Sequence, residues 1–276
     1  MRTWLITGAS RGLGAQLVRV ALEHGDNVIA GMRDPSSILG VGDIPRALLP
    51  AALDVTDAAS TARAVAAGLE RFGKIDVLVN NAGRHLRGAV EEISDSEARA
   101  VFDVNFFGAL NAIREVLPHF RTRRTGRIIN IGSMSGFRGT PGAGMYSATK
   151  FALEGLSEAL SGELVSLGIH TTVVEPGGLR TDFLDASSLR EATSRIADYE
   201  PTPAGASHRA WVRESNHSQP GDPRKAAEAV YTVATAEHPP THMPLGSDAI
   251  AAWEKKRAEL SEEIADWRPL SDIGLE

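Results

Sequence analysis

Short apolar runs alternate with amphipathic stretches along most of the chain. Thr3–Thr7, Asn27–Ala30, Ala47–Leu53, Ile75–Val79, Arg127–Ile131 and Ile169–Glu175 are brief and largely aliphatic or β-branched. That is the character of strands covered on both faces, as in a parallel sheet. Between them the period becomes helical. Gly12–His24 places Leu13, Leu17, Val18, Ala21 and Leu22 on one face, and Gly25 follows as a stop. Asp57 is placed to cap a helix that runs through Ala67 toward Phe72. Ser94–Phe120 reads as one long helix ending around Pro118, and Met145–Leu167 as another. This alternation predicts an α/β fold, a parallel sheet with helices on both faces. Right-handed crossovers then make it a Rossmann-type doubly wound sheet.

The rhythm breaks after Glu175. Residues 177–222 are rich in Pro, Gly and Ser and read as an irregular insert, a lid over a substrate site. Helical character returns at Arg224–Ala236, and Pro244–Gly246 suggests one last short edge strand. Asp248–Trp267 is a charged helix whose expected buried face is Trp253, Leu260, Ile264 and Trp267. No linker divides the chain, so residues 1–276 are expected to form a single domain with the lid as an insert.

Composition narrows the chemistry. The chain has 29 Lys and Arg against 35 Asp and Glu, a net charge of −6, which argues against a nucleic-acid partner. It has no cysteine. Disulfides, thiolate metal sites and cysteine nucleophiles are therefore excluded, and a cytoplasmic location fits. The eight histidines show no metal-ligand spacing, so no metal is expected. No apolar run approaches the roughly 18 residues of a membrane span.

The first strand leads into Thr7-Gly8-Ala9-Ser10-Arg11-Gly12-Leu13-Gly14, just before a helix. Gly8 permits the tight turn, Gly12 lets a pyrophosphate approach the backbone, and Gly14 lets helix and strand pack closely. Free amides and the dipole at the helix start favour an anion there.

This spacing resembles the T-G-x-x-x-G-x-G signature of the short-chain dehydrogenases/reductases, and the resemblance continues down the chain. Asp54 and Val55 follow the third strand, where the family contacts adenine. Asn80-Asn81-Ala82-Gly83 matches its N-N-A-G, Pro176-Gly177 its P-G, and Asn105, Ser133, Tyr146 and Lys150 its catalytic tetrad. The matches come in the family's order across roughly residues 1–180. The resemblance implies that Gly8, Ser10, Arg11, Gly12, Leu13, Gly14, Asp54, Val55, Asn81, Ala82, Gly83, Tyr146, Lys150, Pro176, Gly177 and Thr181 hold a nicotinamide dinucleotide. It gives Thr181 the carboxamide, and Asn105 a kinked helix and a water linked to Lys150. It also implies a homodimer or homotetramer. Ala9-Ser10-Arg11, Met32-Arg33-Asp34 and Glu175-Pro176-Gly177-Gly178 resemble the 17β-hydroxysteroid dehydrogenase and ketoreductase part of the family.

The second strand ends Ile29-Ala30-Gly31-Met32-Arg33-Asp34. A carboxylate there would bond a ribose 2′-hydroxyl. The expected acidic position is instead small or apolar, and Arg33 follows. With Arg11 it offers two guanidiniums for a 2′-phosphate. NADP(H) is expected over NAD(H), while Asp34, one residue on, leaves NAD(H) open.

Tyr146 and Lys150 stand four apart and share a helix face. A nearby ammonium favours phenolate, so Tyr146 can serve as general acid or base. Ser133, at the end of the fifth strand, can hold the substrate oxygen beside it. The expected substrate is a small-molecule ketone, aldehyde or alcohol, medium to large and partly apolar, bordered by Ser133, Tyr146, His85, Phe183, Leu184 and Trp211. Arginines in the insert also admit an acidic substrate. Two alternatives stay open: a non-catalytic dinucleotide-binding redox sensor, and epimerase or dehydratase chemistry on the same scaffold.

Overall fold

The computed structural model describes residues 1–38 and 44–274. Seven parallel strands form one sheet in the order β3-β2-β1-β4-β6-β7-β9. They are β1 (Thr3–Thr7), β2 (Asn27–Met32), β3 (Leu48–Ala52), β4 (Val77–Asn80), β6 (Gly126–Ile131), β7 (Ile169–Pro176) and β9 (His242–Leu245). The order reverses beside β1. That places a crevice between β1 and β4 at the carboxyl ends of the strands, where doubly wound sheets bind ligands.

Side chains alternate across each strand, so the sheet has two cores. On one face Trp4, Ile6, Val28, Val79 and Ile129 pack under α1 (Gly12–Glu23) and α7 (Pro223–Thr235). On the other, Leu5, Ile29, Leu78 and Ile128 meet Val65 of α2 (Ala58–Phe72), Ile113, Val116 and Phe120 of α4 (Gly108–Arg123) and Leu160 of α5 (Gly144–Leu164). Each such side chain taken fully out of water contributes about 1.5–3 kcal/mol. Asp57 caps α2 as expected, its Oδ1 accepting from Ala59 N at 2.9 Å.

Three expectations are corrected. The run from Ser94 is not one helix: α3 (Asp95–Phe102) and α4 are separated by a π-helical turn at Asp103–Phe107. Nor does it end at Pro118, which sits inside α4. Its ring is exposed, so the backbone group its missing N–H leaves unbonded lies on the solvent side of the helix. The insert is not irregular throughout. It contains β8 (Leu189–Glu191), paired in parallel with β5 (His85–Arg87), and a helix, α6 (Ala206–Ser215). Finally, the C-terminal helix, α8 (Ser247–Ser271), buries only its base, at Ala249 and Ala252. Leu260, Ile264 and Trp267 are exposed and Trp253 is half-buried.

Candidate active site

The two turns that floor the crevice are joined. The hydroxyl of Thr7 donates to Val79 O at 3.3 Å and accepts from the amides of Asn81 and Ala82, each at 3.0 Å. The Asn81 amide group donates to Thr7 O at 2.9 Å and Gly8 O at 3.0 Å. Gly8 has φ +66°, and a Cβ there would stand 2.9 Å from Ala82 Cα. Both conditions restrict the position to glycine.

Arg11 precedes α1 in extended conformation and gives the helix no side-chain cap. The first-turn amides, from Gly12 to Gly14, are thus left for a ligand. Gly12 (φ +54°) lies under Thr181, whose Cβ would be 3.4 Å from a Cβ at that position. Leu13 is turned into the core. These features fit a dinucleotide pyrophosphate: bare N–H donors, a helix start and side-chain-free backbone.

Just past the end of β2, Arg33 is exposed. Asp34 is engaged elsewhere, its Oδ1 accepting from Ser36 N at 3.0 Å and Ser36 Oγ at 2.7 Å, which holds its pKa below the usual carboxylate range. Arg11 reaches into the insert, bonding Ser187 and, at 2.6 Å, Ser188. Arg84 was missed by the sequence reading. Burial lowers its pKa, and the charges of Arg190 and Arg33 add to that, so several guanidiniums crowd this side. Asp54 turns an oxygen back on Thr56 N, 3.0 Å away, and Val55 packs against Gly108.

The tetrad residues converge from three elements. Ser133 follows β6 and accepts from Ser135 N at 3.1 Å. Tyr146 and Lys150 lie on one face of α5, each 5% exposed, with the ammonium 5.9 Å from the phenol ring centre. Burial pushes the Tyr146 phenol up to about 12, and its hydrogen bond with Ser133 pulls it down only in part. Burial brings Lys150 down to about 8, opposed by the charge of Glu154. Lys150 Nζ donates to Ile131 O at 2.7 Å.

Asn105 sits in the π-helical turn, 2% exposed. An extra residue in a helical turn redirects a side chain that regular geometry would leave outside. Its Oδ1 accepts from Arg84 N at 2.9 Å, and its Nδ2 donates at 3.0 Å to both Arg84 O and Thr149 Oγ1. Thr149 Oγ1 in turn donates to Tyr146 O at 2.7 Å. Asn105 therefore ties the turn after β4 to the tyrosine helix.

The expected substrate-side residues divide. His85 stacks on Tyr146 with ring centres 4.4 Å apart, and burial keeps it neutral with a pKa of about 3. Phe183 lies 6.0 Å from the same phenol. Leu184 lines a neighbouring cavity. Trp211 is 57% exposed on the outside of the insert and does not join them. Pro176 and Gly177 end β7, where Gly177 N donates to Leu245 O at 3.0 Å.

A second cluster went unseen in the sequence because its members lie far apart. Glu154 of α5 and Glu175 of β7 meet with His242 of β9. The His242 Nδ1 is 3.0 Å from Glu175 Oε1 and 3.4 Å from Glu154 Oε2. Burial and the adjacent Glu175 raise the Glu154 pKa well above the carboxylate range. Its carboxyl packs against Gly132 and Gly136, on either side of Ser133.

Residues 2–192 match the family model described as short chain dehydrogenase. The chain belongs to the short-chain dehydrogenase family. It is 37% identical over 272 residues to an oxidoreductase, BOA17, of Botryotinia fuckeliana, covering 98% of each chain. It is 34% identical over 263 residues to a 3-ketodihydrosphingosine reductase of Bacteroides thetaiotaomicron, covering 95% of this chain and 94% of that protein. A solved short-chain dehydrogenase from Streptomyces avermitilis superposes with TM-score 0.89 at 34% identity over 98% of both chains. Another, from Burkholderia cenocepacia in complex with NADP, gives 0.73 at 26% identity, covering 96% of this chain and 98% of that one. The chain is thus an oxidoreductase with a Rossmann-type fold. No described helix is long and apolar enough to cross a membrane.

Proposed function

We propose that this chain reduces a ketone or aldehyde to an alcohol with NADPH, Tyr146 acting as the proton donor. The carrying observation is the buried phenol, with Ser133 lowering and burial raising its pKa and Lys150 on the same helix face, beside a turn that fits a dinucleotide pyrophosphate. A phenol held protonated at neutral pH can donate its proton to a carbonyl oxygen. The keto-reductase name of one relative and the NADP complex of one structural neighbour support the same reading.

The bound dinucleotide supplies a hydride to the carbonyl carbon. The rest falls to the protein. The turn Gly8–Gly14 and the start of α1 receive the pyrophosphate, and Arg33 with Arg11 and Arg84 favours a 2′-phosphate over a bare ribose. The Ser133 hydroxyl donates to the substrate oxygen and steadies the charge that grows there. Tyr146 Oη then transfers its proton to that oxygen, completing the alcohol. The Lys150 ammonium stabilises the phenolate left behind until a proton returns from solvent. Asn105 is a positioning residue that fixes α5 against the turn at Gly83 and Arg84. His85 and Phe183 keep water from the phenol. The oligomer implied by family membership belongs to this proposal as well.

The test is NADPH oxidation with a panel of ketones and aldehydes, for the native chain and Tyr146→Phe. Turnover lost in the variant while NADPH still binds supports the assignment; full turnover in Tyr146→Phe removes it. NADPH binding without any turnover in the native chain would favour a redox sensor.

A further inference from the structure

Between Arg87 of β5 and the insert lies a cavity of about 330 Å³. It is lined by Leu184, Ala186, Leu189 and Val212 on its apolar side and by Arg87, Glu191, Arg213 and Asn216 on its polar side. Arg87 is 2% exposed. One of its terminal nitrogens pairs with Glu191, but Nε and Nη1 are buried and meet no partner. Asn216 Oδ1 is likewise buried and unpartnered. A guanidinium with two unmet donors in a dry wall is unfavourable unless a ligand completes it. Glu191 does not neutralise the region, because it also pairs with Arg195 at 2.5 Å. Burial and the charges of Arg195, Arg209 and Arg213 depress Arg87 to about 10, so it stays cationic at neutral pH, with Glu191 as a partner shared with Arg195. Arg87 stands two residues beyond His85 on β5, so both side chains leave the same face of the strand. His85 touches the phenol; Arg87 reaches the cavity.

We propose that the substrate is an oxo acid, whose oxyanion is held by Arg87 and Arg213 while its carbonyl lies at Tyr146 and Ser133. His85 and Arg87 stand about 7 Å apart along β5, so the proposed substrate carries several carbons between carbonyl and anion. Leu184, Leu189 and Val212 receive that hydrocarbon stretch. This deepens the assignment of Tyr146 as the proton donor and rests on it.

The test compares medium-chain oxo carboxylates with their methyl esters and with oxo alkyl phosphates, using the native chain, Arg87→Met and Arg213→Ala. The native chain should prefer the acids over the esters by about tenfold or more in kcat/KM, as expected for a charge-assisted contact. Arg87→Met should erase that preference through KM and leave ester turnover nearly unchanged. Phosphates outperforming carboxylates would assign the oxyanion as a phosphate. Esters matching acids in the native chain, or acid and ester declining together in both variants, would overturn the proposal. Should Arg87→Met fail to fold, Arg213→Ala and the native acid-to-ester ratio decide. Binding of unreactive alkanoic acids to Tyr146→Phe, followed by calorimetry, separates the two readings. Binding that depends on Arg87 without turnover of any carbonyl keeps the anion site and removes the reductase assignment. Turnover without acid preference does the reverse.

A different observation carries a second inference. Beyond Trp253, α8 leaves the body of the protein, and residues 257–271 are exposed on every side of the helix. A lone helix of this length is marginal in water. Trp253, Leu260 and Trp267 recur every seven residues, with Ile264 beside them, so they form one stripe. Lys255, Lys256 and Arg257, with Glu254 and Glu259, precede Leu260, while Glu262, Glu263 and Asp266, with Arg268, follow it, so the first half is net basic and the second net acidic. Reversed about Leu260, Trp253 meets Trp267 and Arg257 meets Glu263, while Glu254 meets Asp266.

We infer that α8 pairs antiparallel with α8 of a second copy, Leu260 lying on the two-fold axis. Analytical ultracentrifugation of the whole chain should show Leu260→Glu halving the assembly. Arg257→Glu should weaken it, and Arg257→Glu with Glu263→Arg should restore it. A native monomer at micromolar concentration, an unchanged mass for Leu260→Glu, or no rescue by the double exchange would overturn it.

Discussion

The imidazole of His85 lies on the phenol of Tyr146, ring centres 4.4 Å apart and planes 23° apart. His85 is buried and neutral, so it contributes a dry wall rather than a charge. His85→Ala admits water to the phenol and makes its ionisation easier. The alkaline limb of the reduction rate should move to lower pH, and kcat/KM should fall about tenfold, in line with a lost aromatic pair plus rehydration of the donor. His85→Phe keeps the wall and should retain most of the rate. A pH–rate profile of the three proteins checks this.

Lys150 should be needed for turnover and detrimental to stability. Its burial lowers the folded-state pKa to about 8, below the unfolded lysine value. The penalty is therefore complete below about pH 8 and disappears as pH rises toward the ordinary lysine range. Lys150→Met loses the donor to Ile131 O, worth about 1 kcal/mol, yet should gain ~1–3 kcal/mol net at pH 7. That advantage should shrink by pH 10, while carbonyl reduction falls by a factor of about 100 or more. Denaturant unfolding of the ligand-free protein at both pH values tests the sign.

Glu154 behaves in the opposite sense. Burial and Glu175 raise its folded pKa above the unfolded value, so the folded chain retains a proton that the unfolded chain releases. Stability present in acid is lost as pH rises beyond the carboxylate range. Glu154→Gln stays neutral throughout. It should match the native chain near pH 4 and exceed it by about 1–3 kcal/mol at pH 8. Thermal melts across that interval measure the difference. Equal pH dependence in the two proteins would show that Glu154 is not the group responsible.

Cofactor choice should depend on the guanidiniums. Asp34 is occupied by Ser36 and so does not compete for a ribose. Arg33→Ala should raise the Kd for NADPH about 10–100-fold and leave NADH little changed, as expected for the loss of a charge-assisted phosphate contact. Arg11→Ala should weaken NADPH binding and also release Ser187 and Ser188, making the insert easier to cleave with protease. Fluorescence titration with both dinucleotides reads the first effect, and limited proteolysis the second.

What the sequence made legible follows from local physics. Apolar runs and the Asp57 cap report structure decided within a few residues, and the glycine turn reports backbone constraint. The π-helical turn at Asn105 left no periodic trace, since one extra residue shifts the pattern by less than a turn. Pro118 misled because a proline on the solvent face loses a bond that water replaces. Leu260, Ile264 and Trp267 do form an apolar stripe, but periodicity says only that a stripe exists, not what covers it. The pairing of β5 with β8, and the meeting of Glu154, Glu175 and His242, join segments widely separated in the chain. Only the tertiary fold brings these together.

The bonds that the Asn81 and Ala82 amides donate to Thr7 tie the two turns into one floor for the crevice. Apart from His85 and Arg87 of β5, the expected substrate-side wall comes from the 177–222 segment. Transplanting residues 182–222 between relatives, with Ser187 and Ser188 kept for Arg11, should exchange what they act on, which makes that stretch a natural unit for redesign.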